Sequence, residues 1–284
     1  MKLVRYGAAG AEKPGLIDSN GAIRDLSNIV SDIDGEAFSA GLFRKLCEID
    51  VSELPVVKDN PRIGPCVGNV KTFWAIGLNY TDHAEETNAP IPGEPILFNK
   101  SRSCIVGPND NVILPPGSIE SDWEVELALL IGESVYLADE DEASKAIAGY
   151  FICNDISERD YQLKREGLWT KGKCCPTFGP IGPWLVTPDE FGDPQKKSLW
   201  LDLNGKRMQT GHTSKMIFPI AYVVSYLSKF LRLEAGDIIT TGTPPGVGLG
   251  MVPNVYLKPG DVMRLGIESL GEQQQNVVAY SNAN

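Results

Sequence analysis

The segment Ser121-Asp-Trp-Glu-Val-Glu-Leu-Ala-Leu-Leu-Ile-Gly132 restricts the fold more than any other stretch of this chain. Its first half alternates acid with hydrophobe, so the period of two in a strand puts Asp122, Glu124 and Glu126 on one face and Trp123, Val125 and Leu127 on the other. Its second half, Leu127 to Ile131, is continuously apolar, the pattern of a strand covered on both faces. Adjacent carboxylates on one face lie roughly 7 Å apart, and like charges that close need solvent or a cation to compensate them. A solvated acidic face would meet that need. The apolar run that follows argues for the interior instead, where unpaired charge is too costly to keep.

Short apolar runs bounded by Gly and Pro recur after Val70, at Thr72 to Gly77, Val112 to Leu114, Tyr150 to Asn154, Ile181 to Thr187 and Ile238 to Thr241, and read as strands. Helices are expected over Asp141 to Ala148 and Met216 to Phe230, the latter with apolar residues at Ile217, Ile220, Val224 and Leu227. Residues 1–68 read as a small N-terminal α/β domain: a strand at Lys2 to Tyr6, a hairpin turning at Asn20-Gly21, a helix over Glu36 to Ile49, then Pro55, Pro61 and Pro65. Residues 69–284 form the larger unit, and the fold class is α+β, mainly β.

The net charge of -11 argues against nucleic acid as a partner, because coating phosphates takes clustered Lys and Arg. An acidic ligand is repelled by the same field and needs local positive charge. No signal-peptide pattern follows Met1, and the most apolar stretch, Met216 to Leu233, is interrupted by Pro219, Lys229 and Arg232, so a soluble cytoplasmic protein with no membrane partner is expected. The six cysteines form no CxxC pair and read as reduced thiols. Two glycine-rich segments imitate nucleotide motifs. Gly167 to Cys174 lacks the hydroxyl that would hold Mg²⁺, and Gly246 to Gly250 runs into Val252-Pro253 rather than a helix.

A compact cation site needs a third anion, and the strand-like Tyr150 to Asp155 ends by placing Asp155 at its rim. Oxygen ligands point to Mg²⁺ or Mn²⁺ rather than zinc; with only His83 and His212 in the chain, an imidazole-rich site is excluded. His83 and Glu86 share a face if their segment is helical, which suits a water-activating base and equally suits a surface pair. The stretch Thr87 to Pro95 is loop-forming and could close as a lid. Lys173 is either an ordinary surface lysine or a fixed cation for a developing oxyanion.

Taken in order, Gly77-Leu-Asn-Tyr-Thr-Asp-His83, Pro95-Ile-Leu-Phe-Asn-Lys100, Glu124-Val-Glu126, Asn154-Asp-Ile-Ser-Glu-Arg-Asp-Tyr-Gln162, Gly179-Pro-Ile-Gly-Pro183 and Thr241-Gly-Thr-Pro-Pro-Gly246 resemble the fumarylacetoacetate hydrolase family. The resemblance implies a mixed β-roll with a small N-terminal domain, commonly as a homodimer. It implies Glu124, Glu126 and Asp155 as ligands of Mg²⁺ or Mn²⁺, without Asp122. It further implies His83 with Glu86 as the water-activating dyad, Lys173 as the active-site lysine, and Arg159, Gln162 and Thr243 near the substrate. Pro176 stands where relatives often carry Asp. Trp169-Thr-Lys-Gly-Lys173 and Gly182 to Gln195 are most similar to the branch that hydrolyses 2,4-diketo-3-deoxy-L-rhamnonate or -fuconate. Hydrolysis of a carbon-carbon bond in a small 2,4-diketo acid, giving pyruvate and lactate, is the activity this implies.

Overall fold

In the computed structural model, residues 1–86 and 90–281 are described. Most described strands join one mixed sheet. Its order runs Ile23–Asp25, Lys13–Ile17, Lys2–Tyr6, Gly179–Val186, Ile147–Asn154, Val125–Ile131, Ile238–Thr240, Phe73–Gly77, Ile96–Lys100. Val125–Ile131 lies near the middle, antiparallel to both Ile147–Asn154 and Ile238–Thr240. All seven of its residues are buried, which is why its run from Leu127 to Ile131 shows no alternation. Ile238–Thr240 pairs in parallel with Phe73–Gly77, which in turn carries Ile96–Lys100 antiparallel. The N-terminal strand is hydrogen-bonded to the same sheet, with Lys2 opposite Val186.

A second sheet, ordered Lys206–His212, Ser198–Leu203, Val262–Ile267, Gly271–Ala279 and Val112–Leu114, packs against the first. Its alternating strand Gly271–Ala279 sends Gln273 and Gln275 inward, where each amide finds a partner: Gln273 donates to the carbonyls of Ile152 and Gly182, and Gln275 to Pro108 and Gln273. Buried amides satisfied in this way fix the register between the sheets. No helix among the described residues is long and apolar enough to cross a membrane.

Local chemistry departs from the sequence expectation at three places. The stretch Glu36 to Ile49 is two short helices, Gly35–Ser39 and Leu42–Cys47, because Gly41 takes a left-handed φ of 82° between them. The helix expected from Met216 begins at Ile220, since the backbone N–H of Phe218 is taken by Asn79 and Pro219 stands at the helix start. The helix expected over Asp141 to Ala148 spans Glu140–Lys145, opened by an Asp139/Glu142 capping box, and Ile147 already belongs to the next strand.

Candidate metal centre and active site

The acidic segment is not one strand. Ser121–Asp122 pairs with Ser157–Glu158, and Val125–Ile131 begins only after a break at Trp123 and Glu124. Two buried amides hold the break open. Asn154 Oδ1 accepts the Glu124 N–H at 3.2 Å, and Gln209 Oε1 accepts that of Val125 at 3.0 Å. Asp155 donates its N–H to the Glu124 carbonyl, which ties the end of the neighbouring strand to the same point. The result gathers Glu124, Glu126 and Asp155 so that one oxygen of each lies within 4.8 Å of the others, all three buried.

Asp122 takes a different part. Its carboxylate accepts from Arg159 and from the backbone N–H groups of Trp123, Gly248 and Leu249, so it pins the 246–250 turn. Arg159 bridges Asp122 and Glu124 at 2.8 and 2.7 Å and holds Gln162 through its side-chain carbonyl. Lys173 donates to Glu124 at 2.7 Å and to Asp155 at 2.8 Å. Two of its three N–H donors are thereby used, which leaves one for a ligand. Gly172 sets this position, because a Cβ there would come within 2.4 Å of the Glu158 carbonyl oxygen. The Pro176 departure leaves Lys173 in place: the following residues are braced by Thr177, whose hydroxyl accepts from Ile113, and by the Phe178 carbonyl.

That carbonyl bonds to Lys100, a residue to which the sequence reading gave no role. Its ammonium is fully buried and donates to Asp155, Phe178 and Ile156. In strand Ile96–Lys100 it shares a face with Phe98, two residues earlier, and that period was the available signal. Among the described residues, Asp122, Glu124, Glu126 and Asp155 are ion-paired with Lys100, Arg159 and Lys173, four carboxylates against three permanent cations. The surplus falls on Glu126. Burial, Asp155 and Glu124 push its carboxyl well above its ordinary range, and it accepts a hydrogen bond from the Gly242 N–H. Burial works to raise Glu124 as well, but Lys173 and Arg159 outweigh it and hold that group at about 2. Three converging carboxylate oxygens with a charge deficit of this sign fit a hard divalent cation.

His83 lies on the short helix Thr81–Glu86, with Nδ1 3.1 Å from Glu86 Oε2. Glu86 is fixed in turn by the N–H of Gly246. The turn leading into this helix is held by Asn79. Its side chain donates to the carbonyls of Phe218 and Thr241 and accepts from the Phe218 N–H. This brace sustains a φ of 50° at Leu78, a left-handed conformation that a non-glycine residue adopts only under external restraint. Thr243 donates its hydroxyl hydrogen to the Val125 carbonyl and accepts from Gln209. The lid expectation for Thr87 to Pro95 falls partly on residues 87–89, outside the described residues; Glu94 in the remainder accepts from the Tyr226 hydroxyl at 2.8 Å.

One cavity of about 190 Å³ is lined by all three carboxylates together with His83, Arg159, Gln162, Lys173 and Thr243. Glu86 stands behind His83. Such a volume is below the roughly 300–1,000 Å³ of drug-sized pockets and suits a small acid.

The family profile described as fumarylacetoacetate (FAA) hydrolase C-terminal matches residues 72–278. The chain belongs to the fumarylacetoacetate hydrolase family. A relative from Burkholderia ambifaria, named only generically as a hydrolase, is 53% identical over 277 residues, covering 97% of this chain and 98% of its own. The fumarylacetoacetate hydrolase of Exiguobacterium antarcticum superposes with a TM-score of 0.89 at 33% identity, over 99% of this chain and 100% of that one. A maleylpyruvate hydrolase from Sphingobium sp. SYK-6, solved with manganese(II) and pyruvate, superposes with a TM-score of 0.81 at 26% identity over the same shares. The family fold, mainly β, is therefore that of this chain. Its members are hydrolases and isomerases, several of them acting on keto acids.

Proposed function

We propose that this family member hydrolyses the C3–C4 bond of a small 2,4-diketo acid. The observation that carries this reading is the opening of a carboxylate trio and of His83, backed by Glu86, into one small cavity. Glu124, Glu126 and Asp155 would hold Mg²⁺ or Mn²⁺. When bound, the cation supplies local positive charge for the 2-oxo acid end of the substrate and makes that end a tolerable leaving group.

Glu86 on Nδ1 of His83 favours the tautomer with its proton on that nitrogen, which puts the basic lone pair on Nε2. His83 takes a proton from water as the oxygen adds to the C4 carbonyl, and the remaining N–H of Lys173 faces the oxyanion. Collapse breaks C3–C4, and the proton held by His83 goes to C3. One water is consumed, and a carboxylic acid and pyruvate are released. Isomerisation or decarboxylation of a keto acid needs no water-activating base, so the His83–Glu86 pair favours hydrolysis over these two reactions; hydration of an unsaturated keto acid would use the same base. Within this class we assign 2,4-diketo-3-deoxy-L-rhamnonate (or -fuconate) as substrate, with lactate as the second product.

Changing His83 to Ala separates an enzyme from a binding module. The variant is expected to keep its Mg²⁺-induced rise in Tm and to lose pyruvate release by a factor on the order of 10²–10⁴. Undiminished turnover would sink the assignment of His83, and a lost Tm response would place it among the metal ligands instead.

A further inference from the structure

Neither Asp122 nor Glu86 lines the cavity, yet one turn, residues 246–250, joins them. At its start the Gly246 N–H donates to Glu86 Oε1 at 2.9 Å, while the Gly246 carbonyl accepts from the Trp123 indole at 3.0 Å. Further on, the N–H groups of Gly248 and Leu249 donate to the two oxygens of Asp122 at 2.7 and 3.0 Å. The turn has no slack. Gly246 holds a left-handed φ of 102°, and a Cβ there would come within 2.0 Å of the Met208 carbonyl oxygen. One at Gly248 would come within 1.8 Å of the Val255 carbonyl oxygen.

Asp122 is held as firmly as the turn it grips. Its Oδ1 accepts from Trp123 and Gly248, and its Oδ2 from Leu249 and from Arg159, whose guanidinium also pairs with Glu124. A carboxylate suits this place because both oxygens meet donors, whereas an amide would turn its NH2 against one of the two sets. Hydrogen bonds and ion pairs therefore run without a gap from Glu124 through Arg159, Asp122 and the turn to Glu86, and on to Nδ1 of His83.

We infer that Asp122 is a positioning residue for the reaction: through the 246–250 turn it fixes Glu86, and so sets the tautomer and aim of His83 relative to the carboxylate trio. The base and the cation's ligands, which act on opposite ends of one small substrate, thereby share a single frame. The kinetic consequence rests on the diketo acid hydrolase reading; the state of the His83 ring does not. Gly250 gives a second handle on the same turn. A Cβ there would come within 2.6 Å of Glu86 Cδ, and its nearest neighbours are all atoms of that side chain. Gly250→Ala thus displaces Glu86 while leaving Asp122 and Arg159 as they are.

Protein labelled with ¹⁵N-histidine tests the inference by NMR, because the chain has two histidines and His212 serves as the internal reference. Wild type is expected to carry the His83 proton on Nδ1. In Asp122→Asn and in Gly250→Ala the His83 ring resonances are expected to move toward a mixture of tautomers, with His212 unchanged and the Mg²⁺ response in Tm kept. Pyruvate release from the diketo acid is expected to follow, with kcat lower by about 10- to 100-fold and KM within about threefold of wild type. His83 resonances that coincide in wild type and folded Asp122→Asn would overturn the inference, as would a wild-type kcat in that variant. If Asp122→Asn does not fold, the same two results in Gly250→Ala overturn it. Moved resonances in the variants, with no pyruvate released by the wild-type enzyme, would uphold the placement of His83 by the turn and sink the hydrolase reading.

Discussion

Replacing Glu126 by Gln is expected to stabilise the metal-free protein while abolishing its response to metal. Glu126 is buried beside Asp155 and Glu124, and its carboxyl is pushed well above the ordinary value of 4.5. A group with a raised folded pKa stabilises the fold fully below its unfolded value and loses that contribution as pH climbs through the folded one. Over that interval each pH unit costs the fold about 1.4 kcal/mol relative to a side chain that never ionises. Gln is such a side chain, and its carbonyl can still accept from Gly242. At pH 6.5 its advantage in EDTA is on the order of 1–3 kcal/mol, a rise of a few °C in Tm for a chain of this size. At pH 4 the advantage vanishes. Metal reverses the order, because binding requires the carboxylate: saturating Mg²⁺ should raise the wild-type Tm progressively more as pH rises and leave the variant almost unmoved. Differential scanning fluorimetry between pH 4 and 8, with EDTA and with Mg²⁺, reads all four conditions. A variant less stable than wild type in EDTA at pH 6.5, or one that gains as much from Mg²⁺, would refute the charge argument.

Lys100→Met removes a fully buried cation from Asp155 and should cost about 3–5 kcal/mol in EDTA, the usual loss on breaking a buried ion pair. The deficit should shrink with saturating Mg²⁺; an equal loss in both conditions, read by thermal denaturation, would show that Lys100 supports packing alone. Asn79→Ala leaves the Phe218 and Thr241 carbonyls and the Phe218 N–H without their partner. About 2–4 kcal/mol of stability should be lost, with kcat falling more than KM changes, since the brace holds the helix of His83; steady-state kinetics with unchanged kcat would contradict that placement.

The interior position of the acidic segment was legible because Leu127 to Ile131 carries no polar residue, and the pairing of His83 with Glu86 because a three-residue spacing on a helix brings them together. What could not be read is what bends the chain into the site. The break before Val125 is made by Asn154 and Gln209, thirty or more residues away, and a propensity argument sees nothing unusual at Trp123 or Glu124. Lys100 is not legible because a lysine in a strand reads as exposed until its partner Asp155 is in view. The same holds for Asp122: period two placed it with the other acids, yet the backbone N–H groups of Gly248 and Leu249 claim it. In each case the deciding contact is long-range, between polar groups that sequence spacing treats as independent.

The most direct measurement is pyruvate release from 2,4-diketo-3-deoxy-L-rhamnonate, followed by a coupled assay in Mg²⁺ and in EDTA with oxaloacetate in parallel. The account predicts stoichiometric pyruvate and lactate with Mg²⁺, loss of release in EDTA, and recovery when the cation is restored. Release that persists in EDTA, or turnover of oxaloacetate with none of the diketo acid, would contradict it.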